Sequence, residues 1–337
     1  MRALVFRRNR NPEVEDVADP TAGPRDVIIR VAAAGICHTD LDILHGRYPA
    51  ELPRVPGHEF AGQIVAVGDD VSELRIGERV AVDPLLPCQS CRNCLRGNTN
   101  LCSAMKSYGA ELDGGIAELV AVNARNAHPI GNLDWNIAAL AEPVGCVVNA
   151  IERAGPRQDD RVVVIGAGPM GMLLGVVLHS VGLRDLTIVD LAEDRLKRAH
   201  EFGYSSAVLS HGKIVDELGA RAFDIVIDAT GRPEVVQAAS ALLADGGTLI
   251  PFGVCPPGSS LTIDPNEVYA RQLRIIGSFS LAAAIPRALK ILRESSLDVR
   301  GLVTHEFPLS TAPAAMAEVG SPDGLKIQIN PAQLETM

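Results

Sequence analysis

Four cysteines fall within fifteen residues, as Cys88-x2-Cys91-x2-Cys94-x7-Cys102. Paired C-x-x-C turns bring sulfurs to one tetrahedral centre and the fourth thiol closes it. That describes a structural zinc site with no coordination position left for a substrate. An iron–sulfur cluster is the other metal centre such thiols hold. Disulfides fit poorly, because seven cysteines in 337 residues are too few for a disulfide scaffold. Such a centre folds a lobe and turns nothing over. A second pattern, Gly166-Ala167-Gly168-Pro169-Met170-Gly171, follows one apolar run and opens another. Its first glycine permits a tight turn, the second lets backbone approach a pyrophosphate, and the third lets helix and strand pack closely. Amides at a helix N-terminus then face the phosphates, so Gly166, Gly168, Pro169, Met170 and Gly171 form a candidate dinucleotide turn. Asp190 stands nineteen residues past Gly171. A carboxylate there accepts both ribose hydroxyls and repels a 2′-phosphate, which favours NAD over NADP. A helix N-cap is the alternative role for Asp190. Arg195 either lies along the adenine or softens the cofactor preference.

A third constellation is more widely spaced. Cys37 lies in Gly35-Ile36-Cys37-His38-Thr39-Asp40, and His58 follows it by twenty-one residues in Gly57-His58-Glu59-x2-Gly62-x5-Gly68-x2-Val71. With the cysteine lobe and the late-placed glycine turn, in that order, the chain resembles the medium-chain dehydrogenase/reductase superfamily. Within it, the pattern resembles the zinc signature of the zinc alcohol dehydrogenases and their polyol-oxidising relatives. The resemblance runs from Met1 to about Ile329. It implies a catalytic zinc held by Cys37 and His58. Where alcohol dehydrogenases supply a later cysteine, this chain has Ala141-Glu142-Pro143. It therefore looks like the sorbitol and polyol branch, with Glu142 as third ligand. Glu59 is a second candidate, and Cys146, one helical turn past Glu142, is another.

The resemblance also implies that Thr39 begins a hydroxyl relay carrying the alcohol proton toward solvent, and that Asp40 orients the zinc histidine. The chain departs from the family two residues past Asp40, where Asp42 replaces a relay histidine. Either His45 or water and the cofactor ribose would finish the relay. His38 stands where relatives place a phosphate-contacting base, and Lys326 where a late basic residue touches the pyrophosphate, unless it is a solvated surface lysine. Three protein ligands leave one position on zinc for water or an alcohol. Zinc as a Lewis acid lowers the hydroxyl pKa, and hydride can leave the carbinol carbon for nicotinamide. A carboxylate in place of a thiolate makes a harder zinc, suited to chelation by a vicinal diol.

These residues need two kinds of scaffold. Up to about residue 150, short β-branched runs alternate with Gly and Pro: Asp26 to Val31, Phe60 to Val67, Arg79 to Val82, Ile116 to Val122. That texture predicts an irregular, mostly antiparallel barrel-like domain. From about 155 the pattern becomes strand, helix, strand. Strands are expected over Arg161 to Ile165, Leu186 to Asp190, near Ala207, and over Asp224 to Asp228, Gly247 to Phe252 and Arg274 to Gly277. Helices are expected over Met170 to Val181, Asp194 to Glu201 and Glu234 to Leu243. Six strands alternating with helices make a doubly wound parallel sheet. The fold class is thus α/β: a Rossmann sheet plus a mostly β catalytic domain, GroES-like by the resemblance. The expected domains are 1–150 with the zinc lobe, 151–284 for NAD, and 285–337 returning to the catalytic domain. Within that tail, helices are expected over Ile285 to Glu294 and Ala312 to Val319, and a strand over Lys326 to Ile329.

Composition narrows the partners. Thirty-one Lys and Arg against 41 Asp and Glu give a formal charge of −10, a poor footprint for nucleic acid. No run approaches the roughly 18 apolar residues that span a bilayer, and the start lacks the apolar core of a secretory signal. A cytoplasmic protein without membrane partners is expected, as a homodimer or homotetramer by resemblance. The function implied is hydride transfer from a secondary alcohol of a polyol or sugar alcohol to NAD, giving a ketose or ketone. The alternatives are oxidation of threonine or another 1,2-functionalised alcohol and, more remotely, a non-catalytic NAD-binding sensor.

Overall fold

The computed structural model describes residues 1–331 apart from Asn9 and Pro322, so the last six residues of the expected return segment lie outside the described residues. The chain divides into two compact units. One comprises Met1–Gly145, Leu281–Glu294 and the chain from Arg300 onward; the other comprises Cys146–Ser280 and Ser295–Val299.

The first unit is built on a seven-stranded sheet. Its spatial order is Val303–Pro308, Lys326–Asn330, Asp26–Ile36, Glu59–Val67, Arg79–Val82 and Ala127–Pro129, with Leu119–Asn123 also paired to Asp26–Ile36. Every pairing is antiparallel except that between Val303–Pro308 and Lys326–Asn330. Period-two alternation puts Val27, Ile29 and Val31 on one face, where they pack with Phe60, Ile64, Val80, Val122, Ile327 and Ile329. Burying each such side chain contributes about 1.5–3 kcal/mol. The segment Lys326–Asn330 pairs with Ala34–Ile36, so the C-terminal part of the chain closes the sheet that the N-terminal part began.

The second unit is a six-stranded sheet ordered Ser206–Leu209, Leu186–Asp190, Val162–Ile165, Phe223–Asp228, Leu243–Pro251 and Arg274–Ile275. All its pairings are parallel. In chain order this is 3-2-1-4-5-6, the doubly wound Rossmann arrangement, whose direction reverses between the first and fourth strands. The first strand, Val162–Ile165, is buried at every position, as a parallel strand covered on both faces must be.

The structure differs from the sequence expectations mainly at helix ends. The strand from Asp26 continues to Ile36 because Ala33, Ala34 and Gly35 keep a buried ladder with Glu59–Val67. The helix expected over 194–201 is a short α-turn, Glu193–Leu196, and a 3-10 turn, Ala199–Phe202. Those expected over 234–243 and 312–319 are likewise α-turns that tighten into 3-10 turns after Ala239 and Ala315. Ile285–Glu294 is one continuous helix. None of the described helices is long and apolar enough to cross a membrane.

Candidate active site

The strand pairing of the first unit assembles the site. The antiparallel ladder between Asp26–Ile36 and Glu59–Val67 ends at the pair Gly35–Glu59. The residues just beyond that pair, Cys37 on one strand and His58 on the other, therefore emerge side by side. Donor atoms of Cys37, His58 and Glu59 all lie within 4.8 Å of one another. Cys37 is also the N-cap of the helix His38–Leu44, and the buried Asp40 ties the corner together. Its carboxylate accepts from the Cys37 amide at 2.8 Å and the Gly57 amide at 3.1 Å, and faces His58 Nδ1 at 3.6 Å. An imidazole held by Nδ1 offers Nε2 to a metal. Thr39 places Oγ1 3.8 Å from Cys37 Sγ.

Glu59 has an unexpected partner. Ile327 pairs with Ile36 on the far side of the same central strand, which brings Lys326 level with Cys37. Lys326 is buried, contacts both oxygens of the Glu59 carboxylate, and donates to Oε1 at 2.6 Å. The solvated surface position offered for Lys326 does not describe this buried lysine. The ion pair crosses the central strand at Gly35, where a Cβ would stand 2.2 Å from Glu59 Oε2. The glycine leaves the slot through which the carboxylate reaches the lysine. Burial pulls the Lys326 pKa down, but the charge of Glu59 first, and then of Cys37 and Glu142, outweighs it and raises the ammonium above its ordinary range. Burial also opposes a proton on His58. There the Asp40 carboxylate and then Cys37 overcome it and raise the imidazole well above its ordinary range.

Glu142 is buried in the first turn of the helix Ala141–Ala154. Neither Glu142 nor Cys146 belongs to the Cys37–His58–Glu59 donor set. His38 and His45 are exposed, and Asp42 is paired with Arg47 at 2.7 Å. Sequence reasoning missed Gly35 as a positioning residue and Lys326 as the partner of Glu59. The clue available was a buried-strand pattern that places a lysine at its first residue. Cys37, His58 and Glu59 bring one S, one N and one O donor together beside the Lys326 ammonium. Such a mixed S, N and O set is one that zinc takes. The donor set fits a catalytic zinc.

The four-cysteine lobe is a separate construction. A two-stranded ladder, Leu85–Leu86 with Lys106–Ser107, pins its base. The donor atoms of Cys88, Cys91, Cys94 and Cys102 lie within 4.8 Å of one another. Backbone amides point at sulfur: Cys88 N at 3.3 Å from Cys102 Sγ, Cys91 N at 3.3 Å from Cys88 Sγ, Ala104 N at 3.4 Å from Cys102 Sγ. Amide donation, from Ser90 to Cys88 and from Cys94 to Cys91 first, lowers both of those thiols from their usual range. Cys88 and Cys91 are thereby prepared to bind zinc as thiolates, whereas burial, and then the neighbouring Cys91 and Cys102, push the Cys94 thiol up to about 12.

The dinucleotide turn follows the strand Val162–Ile165. Gly166 has φ +110°, Gly168 caps the helix Pro169–Ser180, and a Cβ on Gly171 would lie 1.9 Å from the Gly166 carbonyl. A Cβ on Gly168 would meet no atom of the chain within 4 Å, so the space above it is open to a phosphate. Asp190 ends the second strand and accepts from Ala167 N at 2.7 Å and Ala192 N at 2.8 Å. It stands two residues before the helix N-cap, Ala192, and a carboxylate keeps lone pairs beyond those two bonds for ribose hydroxyls. Arg195 is half-buried in the short helix that follows. The turn fits a dinucleotide.

A Rossmann unit, a β unit carrying a Cys–His–Glu donor set and a four-thiolate lobe define a zinc-dependent dehydrogenase. Residues 23–132 match the family described as alcohol dehydrogenase GroES-like domain, and residues 169–294 the family described as zinc-binding dehydrogenase. D-altritol 5-dehydrogenase from Agrobacterium fabrum is 40% identical, covering 97% of this chain and 99% of that protein. L-threonine 3-dehydrogenase from Streptomyces coelicolor is 34% identical over 97% of this chain and 98% of its own. Among solved structures, a protein from Sinorhizobium meliloti 1021 assigned to the zinc-binding dehydrogenases, with NADP bound, superposes with a TM-score of 0.94. It is 29% identical, with 98% of this chain and 99% of that chain covered. The chain belongs to the zinc-dependent medium-chain dehydrogenases, in their sorbitol-like branch, and is an oxidoreductase.

Proposed function

We propose that this enzyme oxidises a secondary alcohol of a polyol or sugar alcohol, passing hydride to NAD and giving a ketose or ketone. The observation that carries this reading is the carboxylate in the donor set. Glu59 stands with Cys37 and His58, and an oxygen-rich zinc favours a second substrate oxygen. The similarity to D-altritol 5-dehydrogenase supports the same substrate class. Cys37, His58 and one carboxylate would hold the zinc, Glu59 by its position and Glu142 by its match to the polyol branch. When bound, the metal acts as a Lewis acid on the substrate hydroxyl. Asp40 holds the imidazole and the Cys37 amide in register, and Thr39 takes the first step of the proton's path. Gly166, Gly168, Pro169, Met170 and Gly171 cradle the pyrophosphate, Arg195 lies near the adenine, and Asp190 selects NAD by repelling a 2′-phosphate. The Cys88–Cys91–Cys94–Cys102 zinc is structural.

A second reading, oxidation of threonine or another 1,2-functionalised alcohol, draws on the likeness to L-threonine 3-dehydrogenase. Intact donor sets leave little support for a non-catalytic sensor. The domain limits proposed are 1–150, 151–284 and 285–337, and the working form a cytoplasmic homodimer or homotetramer. Exposed Ile275 and Phe279 beside the edge strand of the parallel sheet are surface such an assembly would cover. The test is NADH formation by zinc-replete protein over polyols, simple alcohols and threonine, with NADP in parallel. A preference for one polyol with NAD is expected. Activity confined to threonine or simple alcohols removes the polyol assignment, and preference for NADP removes the role given to Asp190. Light scattering reads the oligomer.

A further inference from the structure

One buried acid belongs to none of the sites above. Asp228 ends the fourth strand of the parallel sheet, Phe223–Asp228, with a relative exposure of 0%. No cation pairs with it among the described residues. A carboxylate so placed needs donors to offset its lost hydration, and it finds them in the turn that follows. Oδ1 accepts from the Thr230 amide at 3.1 Å and the Thr230 hydroxyl at 2.6 Å, and Oδ2 accepts from the Gly231 amide at 3.0 Å. The Asp228 carbonyl accepts from the amides of Phe252 and Gly253 at 2.9 and 2.7 Å, and the Ala229 amide donates to the Ile165 carbonyl at 2.8 Å. Asp228 and Ala229 thus tie together the carboxyl ends of the first, fourth and fifth strands.

The turn it organises is packed without slack. Gly231 has φ +68°, and a Cβ there would lie 2.6 Å from the Val254 carbonyl. A Cβ on Gly253 would lie 2.1 Å from the Gly231 amide. On the other side, a Cβ on Gly166 would meet the Thr230 methyl at 3.1 Å. The chain-order reversal of the sheet falls between the strands that end at Ile165 and Asp228, and ligands of doubly wound sheets bind at the carboxyl ends there. If Asp190 on the second strand takes the adenosine ribose and Gly168 after the first strand takes the pyrophosphate, the nicotinamide half is left to the fourth strand.

We propose that Asp228 is a positioning residue for the nicotinamide half of the cofactor, acting through the Thr230–Gly231 turn that it caps. This rests on the dinucleotide reading of the turn at Gly166–Gly171. Because the Asp228 carboxylate bonds only within the turn, its loss changes the carboxyl end of the fourth strand and leaves Asp190 and Gly168, on the adenosine side, intact.

The experiment compares NADH with ADP, which carries the adenosine and both phosphates but no nicotinamide. Both are titrated against full-length, zinc-replete wild type and Asp228→Asn, by fluorescence for NADH and competition for ADP. Asp228→Asn is expected to bind NADH about tenfold more weakly, a loss of about 1.4 kcal/mol, with ADP affinity held within about twofold. Steady-state kinetics should show KM for NAD raised by a similar factor, with kcat within about threefold and the alcohol KM unmoved. Thr230→Val, which removes only the hydroxyl donor, should give about a threefold loss that Thr230→Ser restores. This pair decides the matter if Asp228→Asn does not fold. Equal weakening of NADH and ADP, or no weakening of either, overturns the role of Asp228. Wild-type protein that binds neither NADH nor NADPH overturns the dinucleotide reading and the proposal with it.

Discussion

The two metal-ligating clusters are built in opposite ways. The lobe takes its four sulfurs from Cys88 to Cys102, on one loop closed by a two-stranded ladder, and its second-layer contacts are the loop's own amides. The active-site cluster draws on the ends of two strands and on a lysine 267 residues from the glutamate it holds. A closed set of thiolates made by one short loop has a single arrangement. A thiolate, an imidazole and a carboxylate already paired with a buried ammonium form a set whose third member has a rival claim on it. That teaches where to look for function: the cluster that depends on distant chain segments is the one with a carboxylate to spare.

The sharpest break between the clusters is a matched pair of serines. Cys37→Ser is expected to cut turnover by about 10³-fold or more, to halve the bound zinc, and to leave NADH binding intact. Cys94→Ser should also halve the zinc, but with a stability loss on the order of 3 kcal/mol or more and turnover retained by the molecules that stay folded. Zinc analysis, urea unfolding and initial rates on the two variants check this, and equal activity losses would erase the distinction.

Lys326→Met addresses the rival claim on Glu59. Removing one partner of a buried ion pair costs about 3–5 kcal/mol in the metal-free protein. Added zinc should shrink that deficit, because the metal then supplies the charge Glu59 has lost. A deficit indifferent to zinc would mean that Glu59 stays off the metal and would move the third ligand to Glu142. Gly35→Ala attacks the same contact from the side, filling the slot over the central strand at a cost of about 1–3 kcal/mol.

The smallest effect tests the root of the lobe. Asp83 is buried at the end of Arg79–Val82, accepts from the Leu85 amide at 2.9 Å, and is pushed up to about 6 by that burial. Its folded pKa lies above the ordinary aspartate value of about 3.9, so the fold binds its proton more tightly than the unfolded chain does. The stability it contributes is present below about pH 4 and is lost as pH rises through 6. Asp83→Asn should therefore be more stable than wild type at pH 7 by about 1–3 kcal/mol, with the gain vanishing near pH 4. Urea midpoints from pH 4 to 8 read the slope.

How much of this was legible beforehand depends on how local each feature is. The clustering of the four cysteines, the glycine turn and the position of Asp190 at a strand end were readable because these residues lie within one loop or one strand–turn–helix unit, where spacing and geometry are nearly the same thing. The alternating β and βαβ textures named both sheets, and the parallel sheet has the six strands expected. Short helices were read too long, because apolar periodicity does not register the point at which an α-turn tightens into a 3-10 turn, as it does after Leu196, Ala239 and Ala315. In the active site, the resemblance put Cys37 and His58 together with Glu142 or Glu59 beside them, whereas nothing in the spacing placed Lys326 behind Glu59.

By itself, then, the sequence determined the two scaffolds, the four-cysteine cluster and the glycine turn between strand and helix, since short-range sterics and ligand geometry act between residues close in the chain. Only the tertiary structure decided which carboxylate stands beside Cys37 and His58, and that Lys326 is buried behind it. Those facts follow from strand register: Gly35 pairs with Glu59 on one side of the central strand and with Gln328 on the other. Register is settled by the packing of whole faces rather than by any local spacing.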